Sequence, residues 1–258
     1  MPKFAANVSL MFTELPFLER FKAAADAGFK GVEMLFPYAW SDAEIKAKLA
    51  DNDLQLVLFN IYPGAWDDGE RGLTGVKGRE ADFEAAVDQA LDYAIALGCR
   101  KLHAMAGLKS HGANQKTYLA NLEKAAARAE NHGVDILIEP INTHDFPGYL
   151  LNTTQDAVDI IHAVGATNLG LQFDLYHRHM MEGEVPRALD QFGPFARHIQ
   201  VAGPPDRGEP IPSQVDFIPL FQKIDASGYK GWIGCEYKPR AGTSEGLSWL
   251  DKVTHYTN

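Results

Sequence analysis

Four side chains that could bind one metal ion follow or end short apolar segments in the second half of the chain. They are Glu139, Asp174, Gln200 and Glu236. Three buried carboxylates brought together without a counter-charge would repel one another and lose solvation, at a cost of several kcal/mol each. A divalent cation removes that cost, and oxygen ligands suit Mg2+ or Mn2+. We therefore predict one divalent metal site and no organic cofactor. Taken singly, each acid could instead cap a helix or form a salt bridge.

Short apolar segments of strand length alternate with longer segments of helical period along the chain. The predicted strands are 4–12, 31–36, 55–61, 101–106, 135–141, 169–173, 198–202 and 231–237. Helical patterns lie between them, at 17–28, from the capping-box sequence Ser41-Asp42-Ala43-Glu44, and at 83–98, 118–133, 153–164, 185–192, 216–227 and 243–255.

Eight strand–helix units predict an α/β fold of the (β/α)8 TIM barrel type, with residues 1–258 as one domain. A doubly wound open sheet is the second choice, but it normally has a glycine-rich phosphate turn after its first strand. Asn7-Val8-Ser9-Leu10 stands there instead. In a barrel the carboxyl ends of the strands share one face, so the four candidate ligands should meet there. The long connection 62–78 is typical of an active-site loop.

The overall charge excludes several classes of partner. The chain has 258 residues and a formal net charge of −10. This argues against nucleic acid, which needs clustered Lys and Arg, and against an anionic membrane surface. Two separated cysteines, no amino-terminal apolar segment and no apolar stretch of about 18 residues favour a cytoplasmic location.

Three motifs around the candidate ligands resemble the hydroxypyruvate isomerase family. They are Ile138-Glu139-Pro140-Ile141-Asn142, Phe173-Asp174-Leu175-Tyr176-His177 and Glu236-Tyr237-Lys238-Pro239. Segment 4–12, Gly31-Val32-Glu33 and Gly69-Glu70-Arg71-Gly72 extend the resemblance into the first half. That family belongs to the xylose-isomerase-like barrels, together with 2-oxo-tetronate isomerases and ketose 3-epimerases.

The resemblance implies a role for each site residue. Glu139 and Glu236 would be the catalytic acid/base pair as well as metal ligands, and Asp174 and Gln200 would complete the metal site. His177 and Arg207 would contact substrate oxygens. Gln200 stands where the related epimerases have His, which favours the isomerase branch. Arg71 is a weaker candidate for binding a substrate carboxylate.

The implied reaction is an aldose–ketose isomerisation of a short hydroxy-carbonyl acid, such as hydroxypyruvate to tartronate semialdehyde, or of a 2-oxo-tetronate. A glutamate would take the proton beside the carbonyl, the metal would stabilise the enediolate, and a glutamate would return a proton to the neighbouring carbon. Segments 61–66 and 203–215 depart from the family pattern where substrate should bind, so the sequence leaves the substrate open.

Three other functions compete with this one. A ketose 3-epimerase would use the same metal and glutamates on a sugar. A non-catalytic metal- or sugar-binding barrel would not need both glutamates. Abasic-site endonucleases share the barrel but need a multinuclear zinc site rich in His and a basic groove. Barrels of this type often form dimers or tetramers, but no surface pattern here favours one homo-oligomer.

Three further residues have structural interpretations. We expect His103 and His198, which fall inside apolar strands, to be hydrogen-bonded core histidines. We expect Asp145, six residues after Glu139, to cap a turn or helix; the alternative is that it supports the residues that bind the metal or the substrate.

Overall fold

The computed structural model describes residues 2–254, and its central feature is a closed barrel of eight parallel strands in sequence order. This confirms the predicted TIM barrel. The strands are β1 Lys3–Asn7, β2 Gly31–Met34, β3 Gln55–Asn60, β4 Lys101–His103, β5 Asp135–Ile138, β6 Leu169–Asp174, β7 Ala196–Val201 and β8 Trp232–Cys235.

Ten α-helices lie in the described residues. They are α1 Arg20–Asp26, α2 Asp42–Asp51, α3 Glu80–Leu97, α4 Gln115–Glu130, α5 Thr154–Val164, α6 Leu175–Glu182, α7 Val185–Phe192, α8 Phe217–Ala226, α9 Thr243–Gly246 and α10 Ser248–Thr254. Short 3-10 turns occupy Phe17–Glu19, Trp66–Asp68, Lys109–His111 and Gly193–Phe195. No helix within residues 2–254 is both long and apolar enough to cross a membrane.

Local sequence signals explain where several helices begin. Ser41 caps α2 and forms the complete capping box with Glu44 that the sequence predicts. Side chains of Asn114, Thr153 and Asp216 accept backbone N–H groups at the starts of α4, α5 and α8. The predicted carboxyl-terminal helix divides into α9 and α10, and its expected last residue, His255, lies outside the described residues.

Two of the differences from the predicted elements have a local cause. The first strand was predicted through residue 12, but β1 ends at Asn7 because the Asn7 side chain accepts the Ser9 N–H and turns the chain. Helix α6 was not predicted. It begins directly after β6, where Asp174 accepts the Tyr176 N–H at 2.8 Å and caps the new helix. This helix places His177 inside the protein.

The barrel interior holds a buried polar layer at its centre. The strand register shifts just before Glu33 on β2 and just before Gln172 on β6. Such irregularities re-aim side chains near functional sites. Gly234 on β8 leaves space for the Glu33 carboxylate, since a Cβ there would overlap it. The barrel therefore combines an apolar wall with a few buried charged groups at defined positions.

Candidate active site

The carboxyl ends of the strands open into a cavity of about 520 Å³. Four of the predicted site residues line it, namely Glu139, His177, Arg207 and Glu236. Glu139 follows β5, His177 lies on α6, Arg207 lies after β7 and Glu236 follows β8. The barrel thus brings residues that are distant in sequence to one face, as expected for this fold.

Asp174 lies at the junction of β6 and α6. Its Oδ1 is occupied by the helix-capping bond to Tyr176 N–H, while its Oδ2 is buried and has no hydrogen-bond partner among the described residues. His177 Nε2 and an Arg207 guanidinium nitrogen each lie 3.7 Å from that oxygen. The capping bond fixes the carboxyl group, so its second oxygen is held in place for another ligand.

Glu139 is also buried with an unsatisfied oxygen. Its Oε1 has no hydrogen-bond partner and lies 3.9 Å from His177 Nε2. Its Oε2 lies 3.6 Å from His103 Nδ1, beyond hydrogen-bonding distance. Glu139, Asp174 and His177 each offer one potential ligand atom, and these atoms lie within 4.8 Å of one another. By distance alone, these three residues could hold a metal ion.

Glu236 and Arg207 form the charged side of the cavity. An Arg207 guanidinium nitrogen lies 3.2 Å from Glu236 Oε2, an ion-pair contact that lacks hydrogen-bond geometry. The other terminal nitrogen lies 3.9 Å from Asp145 Oδ2. Arg207 therefore faces three carboxyl groups, those of Glu236, Asp174 and Asp145. Its charge offsets part of their mutual repulsion.

The Arg207 backbone is in the left-handed region, with a φ of 57°. Such a conformation costs about 1 kcal/mol or more in a residue other than glycine and often marks a functional site. Arg240 holds the flanking residues by donating to both carboxylate oxygens of Asp206, at 2.7 Å each, and to Glu209 Oε2 at 2.9 Å. Asp206 and Glu209, the acids nearest to Arg207 in sequence, are therefore paired with Arg240.

Gln200 points to a different set of partners from the three acids. Its Nε2 donates to Glu33 Oε1 at 2.8 Å, and its Oε1 accepts from Gln172 Nε2 at 2.7 Å. An amide oxygen has a second lone pair, so a metal ligand role for Gln200 stays a prediction. Glu33 Oε2 pairs with His198 Nε2 at 2.6 Å, and Glu33 Oε1 also accepts from Asn7.

Burial and mutual repulsion raise the pKa values of the three acids. Burial raises the pKa of Glu139 well above its ordinary value, and the nearby Glu236 and Asp174 charges add to the increase. Burial also raises the pKa of Glu236 to about 8 and that of Asp174 to about 6, although Arg207 opposes both changes. Groups of this kind can accept and release protons near neutral pH.

Arg71 lies next to the site in a fixed position. Its guanidinium donates to the backbone oxygens of Trp66 and Glu70, at 2.8 and 2.7 Å. It also lies 3.9 Å from the Trp66 ring centroid. Trp66 lines the cavity, so Arg71 holds a wall of the site. A direct contact between Arg71 and substrate stays a prediction.

Sequence reasoning missed or misread several residues at the cavity. His103 is buried and lines the cavity with an unpartnered Nε2, so the expectation that it is a hydrogen-bonded core histidine is wrong. Its strand position at the end of β4 was a usable signal. His198 is buried and paired with Glu33, although its Nδ1 has no partner. Gln172 and Lys238 also line the cavity and were not singled out.

Asp145 has a different role from the predicted cap. It accepts from Asn142 Nδ2 at 3.1 Å and from the Tyr176 hydroxyl at 3.3 Å. Its own N–H donates to Asn142 Oδ1 at 2.8 Å. Asp145 therefore braces Asn142 beside the cavity, and the turn is held by Asn142.

Comparison with known proteins places this chain in a family. The xylose isomerase-like TIM barrel family matches residues 21–253. The chain belongs to this family. A 2-oxo-tetronate isomerase of Cupriavidus necator is 50% identical over 254 residues, covering 97% of this chain and 98% of the relative. A hydroxypyruvate isomerase of Escherichia coli K12 is 42% identical over 255 residues, covering 97% and 99%. The resemblance found in the sequence is thereby confirmed, and so is the expectation of an isomerase.

Solved structures agree on the fold. A crystal structure named AP endonuclease, family 2, from Brucella melitensis is 44% identical, with a TM-score of 0.95 and coverage of 98% of this chain and 99% of that one. A D-psicose 3-epimerase from Clostridium cellulolyticum H10 has a TM-score of 0.76 at 20% identity, covering 99% and 92%. The second similarity concerns the fold alone.

Proposed function

We propose that this protein is a divalent-metal-dependent aldose–ketose isomerase that acts on hydroxypyruvate or a 2-oxo-tetronate. The observation that carries the proposal is the set of three buried carboxylate oxygens without hydrogen-bond partners in the described part of the chain, Glu139 Oε1, Asp174 Oδ2 and Glu236 Oε2. The names of the full-length relatives, 2-oxo-tetronate isomerase and hydroxypyruvate isomerase, support the choice of substrate class.

The three acids fit a hard divalent cation such as Mg2+ or Mn2+. Buried polar atoms are nearly always paired, so three unpaired carboxylate oxygens in one site need an explanation. A cation satisfies them and offsets their repulsion, and Arg207 alone offsets only part of it. We propose that Glu139, Asp174 and Glu236 hold the ion and that Gln200 contributes its amide oxygen. Bound there, the ion would stabilise negative charge developing on the carbonyl and hydroxyl oxygens of the substrate.

Glu139 and Glu236 carry the proton transfers in this proposal. They extend from β5 and β8 and line the same cavity. One carboxylate takes the proton from the hydroxyl-bearing carbon beside the carbonyl, and a carboxyl group returns a proton to the former carbonyl carbon. The hydroxyl proton passes to the former carbonyl oxygen, so that the carbonyl and hydroxyl groups exchange places. Their raised pKa values favour this exchange, because each carboxylate is then a stronger base than an ordinary carboxylate.

Two cations at the cavity fit an anionic substrate. Arg207 is flanked by three carboxyl groups, whereas Lys238 is exposed and no ion pair of its side chain is found among the described contacts. Lys238 is therefore the more available of the two for a substrate carboxylate. Glu139, Asp145, Asp206 and Glu236 line the same cavity, which is unsuitable for the phosphate backbone of a nucleic acid.

A ketose 3-epimerase is the competing enzymatic hypothesis, because that reaction also needs one proton removed from carbon and another returned to carbon. The two reactions are separated by incubating metal-loaded protein in D2O with hydroxypyruvate, a 2-oxo-tetronate or a ketohexose. We expect the carbonyl group to move in one of the acids, with deuterium on the carbon that receives the proton. Inversion of a ketohexose at C3 without movement of the carbonyl, and no turnover of either acid, would contradict the proposal.

The same assay tests whether the isomerase activity depends on a divalent metal ion. Protein stripped with EDTA should have no isomerase activity, and activity should return with Mg2+, Mn2+ or Co2+. Full activity after complete removal of divalent ions would contradict the metal-dependent mechanism.

A further inference from the structure

The side-chain amide of Asn142 has a fixed orientation. Asp145 donates its backbone N–H to Asn142 Oδ1 at 2.8 Å, and a backbone N–H can only be a donor. Asn142 Nδ2 in turn donates to Asp145 Oδ2 at 3.1 Å. Reversing the amide would place a nitrogen against the N–H and an oxygen against the carboxylate. The assignment of oxygen and nitrogen in this amide therefore follows from its two contacts with Asp145.

This fixed amide meets one nitrogen of His177. Asn142 Nδ2 lies 2.6 Å from His177 Nδ1, and the Asn142 backbone N–H also points to Nδ1 at 3.4 Å. Both groups are donors, so Nδ1 must accept and cannot carry a proton. In a neutral imidazole the proton then resides on the other nitrogen, Nε2.

We infer that Asn142 locks His177 in the tautomer with the proton on Nε2, so that His177 faces the cavity as a hydrogen-bond donor and not as a metal ligand. A metal ligand must present a bare nitrogen, and the bare nitrogen here faces Asn142. Nε2 lies 3.9 Å from Glu139 Oε1 and 3.7 Å from Asp174 Oδ2, too far for a hydrogen bond to either. Its proton is free to meet another acceptor.

That acceptor is a substrate oxygen, and this part of the inference rests on the proposed function. His177 lines the cavity between the two acids, so a carbonyl or enediolate oxygen placed there would accept the Nε2 proton in a hydrogen bond. Asn142 is then a positioning residue. It follows Glu139 by three residues, so the same strand end supplies a candidate catalytic acid and the group that orients the histidine beside it.

The tautomer can be measured directly in the wild-type protein. A long-range 1H–15N correlation spectrum of metal-free protein at neutral pH distinguishes the two ring nitrogens, and His177→Asn identifies the signals. We expect Nε2 to be protonated and Nδ1 to be unprotonated. A proton on Nδ1 would overturn the inference, whatever the substrate or the metal.

Metal affinity supplies a second measurement. In His177→Asn the new side chain can still accept from Asn142 but has no atom in the place of Nε2. We expect its Mn2+ dissociation constant, measured by electron paramagnetic resonance, to stay within about threefold of wild type, whereas Asp174→Asn should weaken binding by about 10-fold or more. A loss in His177→Asn as large as that in Asp174→Asn would overturn the inference. Absence of Mn2+ binding by the wild type would instead contradict the proposed function and leave the tautomer result intact.

The Asn142→Asp variant tests whether Asn142 sets the tautomer of His177. A carboxylate in place of the amide accepts a hydrogen bond, so we expect His177 to move its proton to Nδ1. The matched control is Asn121→Asp, another buried asparagine, whose amide donates to the Thr74 backbone oxygen. The control should leave the His177 signals unchanged. An unchanged His177 tautomer in folded Asn142→Asp would show that Asn142 does not set it.

Discussion

Two sets of buried acids lie in the same barrel: Glu33 alone is the first, and Glu139, Asp174 and Glu236 are the second. They differ in how their carboxylate oxygens are paired. Both oxygens of Glu33 are occupied, one by Asn7 and Gln200 and the other by His198. In contrast, Glu139, Asp174 and Glu236 each have a buried oxygen for which residues 2–254 supply no hydrogen-bond partner. All four carboxyl groups are at most 6% exposed, so burial does not explain the difference.

The comparison separates a structural acid from acids that are held for a ligand. Glu33 connects β1, β2 and β7 through bonds within the protein. The second set is brought together by β5, β6 and β8, and Arg207 offsets part of its charge. We therefore expect substitution of Glu33 to lower the stability of the fold. Substitutions of Glu139, Asp174 or Glu236 should instead lower the rate of turnover.

The largest effect is expected on turnover in the second set. Glu139→Gln and Glu236→Gln keep the size of each side chain and remove its ability to exchange protons. We expect kcat to fall by about 10²–10⁴ in each variant, measured with the substrate identified in the product assay. The melting temperature should not fall. Near wild-type turnover in either variant would remove that glutamate from the mechanism.

The next largest effect is expected on stability in the first set. Glu33→Ala leaves His198, Gln200 and Asn7 without their shared acceptor. We expect the free energy of unfolding to fall by about 3–5 kcal/mol, measured by urea denaturation of the metal-free protein. Glu139→Gln is the matched control, because it replaces a buried carboxyl group that has no hydrogen-bonded partner among residues 2–254. A destabilisation as large in Glu139→Gln as in Glu33→Ala would remove the distinction between the two sets.

A smaller effect is expected in the pH dependence of stability of the metal-free protein. Burial raises the pKa of Glu236 to about 8, so the folded state binds a proton that the unfolded chain has released. This contribution is complete below the ordinary carboxyl pKa and is lost as the pH rises through the folded value. We expect the melting temperature to fall as the pH rises from about 6.5 to about 8, to level off above pH 8, and to fall less in Glu236→Gln.

The buried histidines His103 and His177 do not cancel the fall in melting temperature that is expected from Glu236. Burial lowers the pKa of His103 to about 3 and that of His177 well below its ordinary value. Their effect is to weaken the folded state as the pH falls below the ordinary histidine pKa, outside the chosen range. Equal slopes for wild type and Glu236→Gln would contradict a raised pKa of Glu236.

The smallest effect is expected for Lys238, which lines the same cavity as Glu139 and Glu236. Lys238→Gln removes the exposed charge that we propose for the substrate carboxylate. Because an exposed ion pair contributes about 0.2–1 kcal/mol, we expect KM to rise about two- to fivefold with kcat unchanged. Lys238→Arg should restore KM. Lys230→Gln, an exposed lysine just before β8, is the control and should leave KM unchanged.

The sequence was sufficient for the fold because the barrel is encoded locally. Each strand is a short apolar segment, and several helices carry their own caps, as at Ser41 and Thr153. The boundary errors arise where one side chain redirects the backbone. Asn7 turns the chain after β1, and Asp174 starts α6 where a loop was expected. Such side-chain to backbone bonds are not visible in hydrophobic periodicity.

The site was only partly predictable for a related reason. Strand ends identify which residues share a face, and this was enough to find Glu139, Asp174 and Glu236. The position of a residue at a strand end does not identify which hydrogen bonds its side chain forms across the barrel. The pairing of Gln200 with Glu33, and of Arg240 with Asp206, depends on contacts between segments that are distant in sequence. Only the folded structure shows which acids are paired.

The number of metal ions that bind each chain is the most direct test of the distinction between the two sets. Metal-free wild type and Glu33→Gln, Glu139→Gln and Asp174→Asn variants are titrated with Mn2+, and bound ions are counted by electron paramagnetic resonance alongside the isomerase rate. We expect one ion per wild-type chain, activity that rises in proportion to its binding, and much weaker binding in Glu139→Gln and Asp174→Asn than in Glu33→Gln. A wild-type protein that binds no ion and turns over its substrate at full rate would contradict the account.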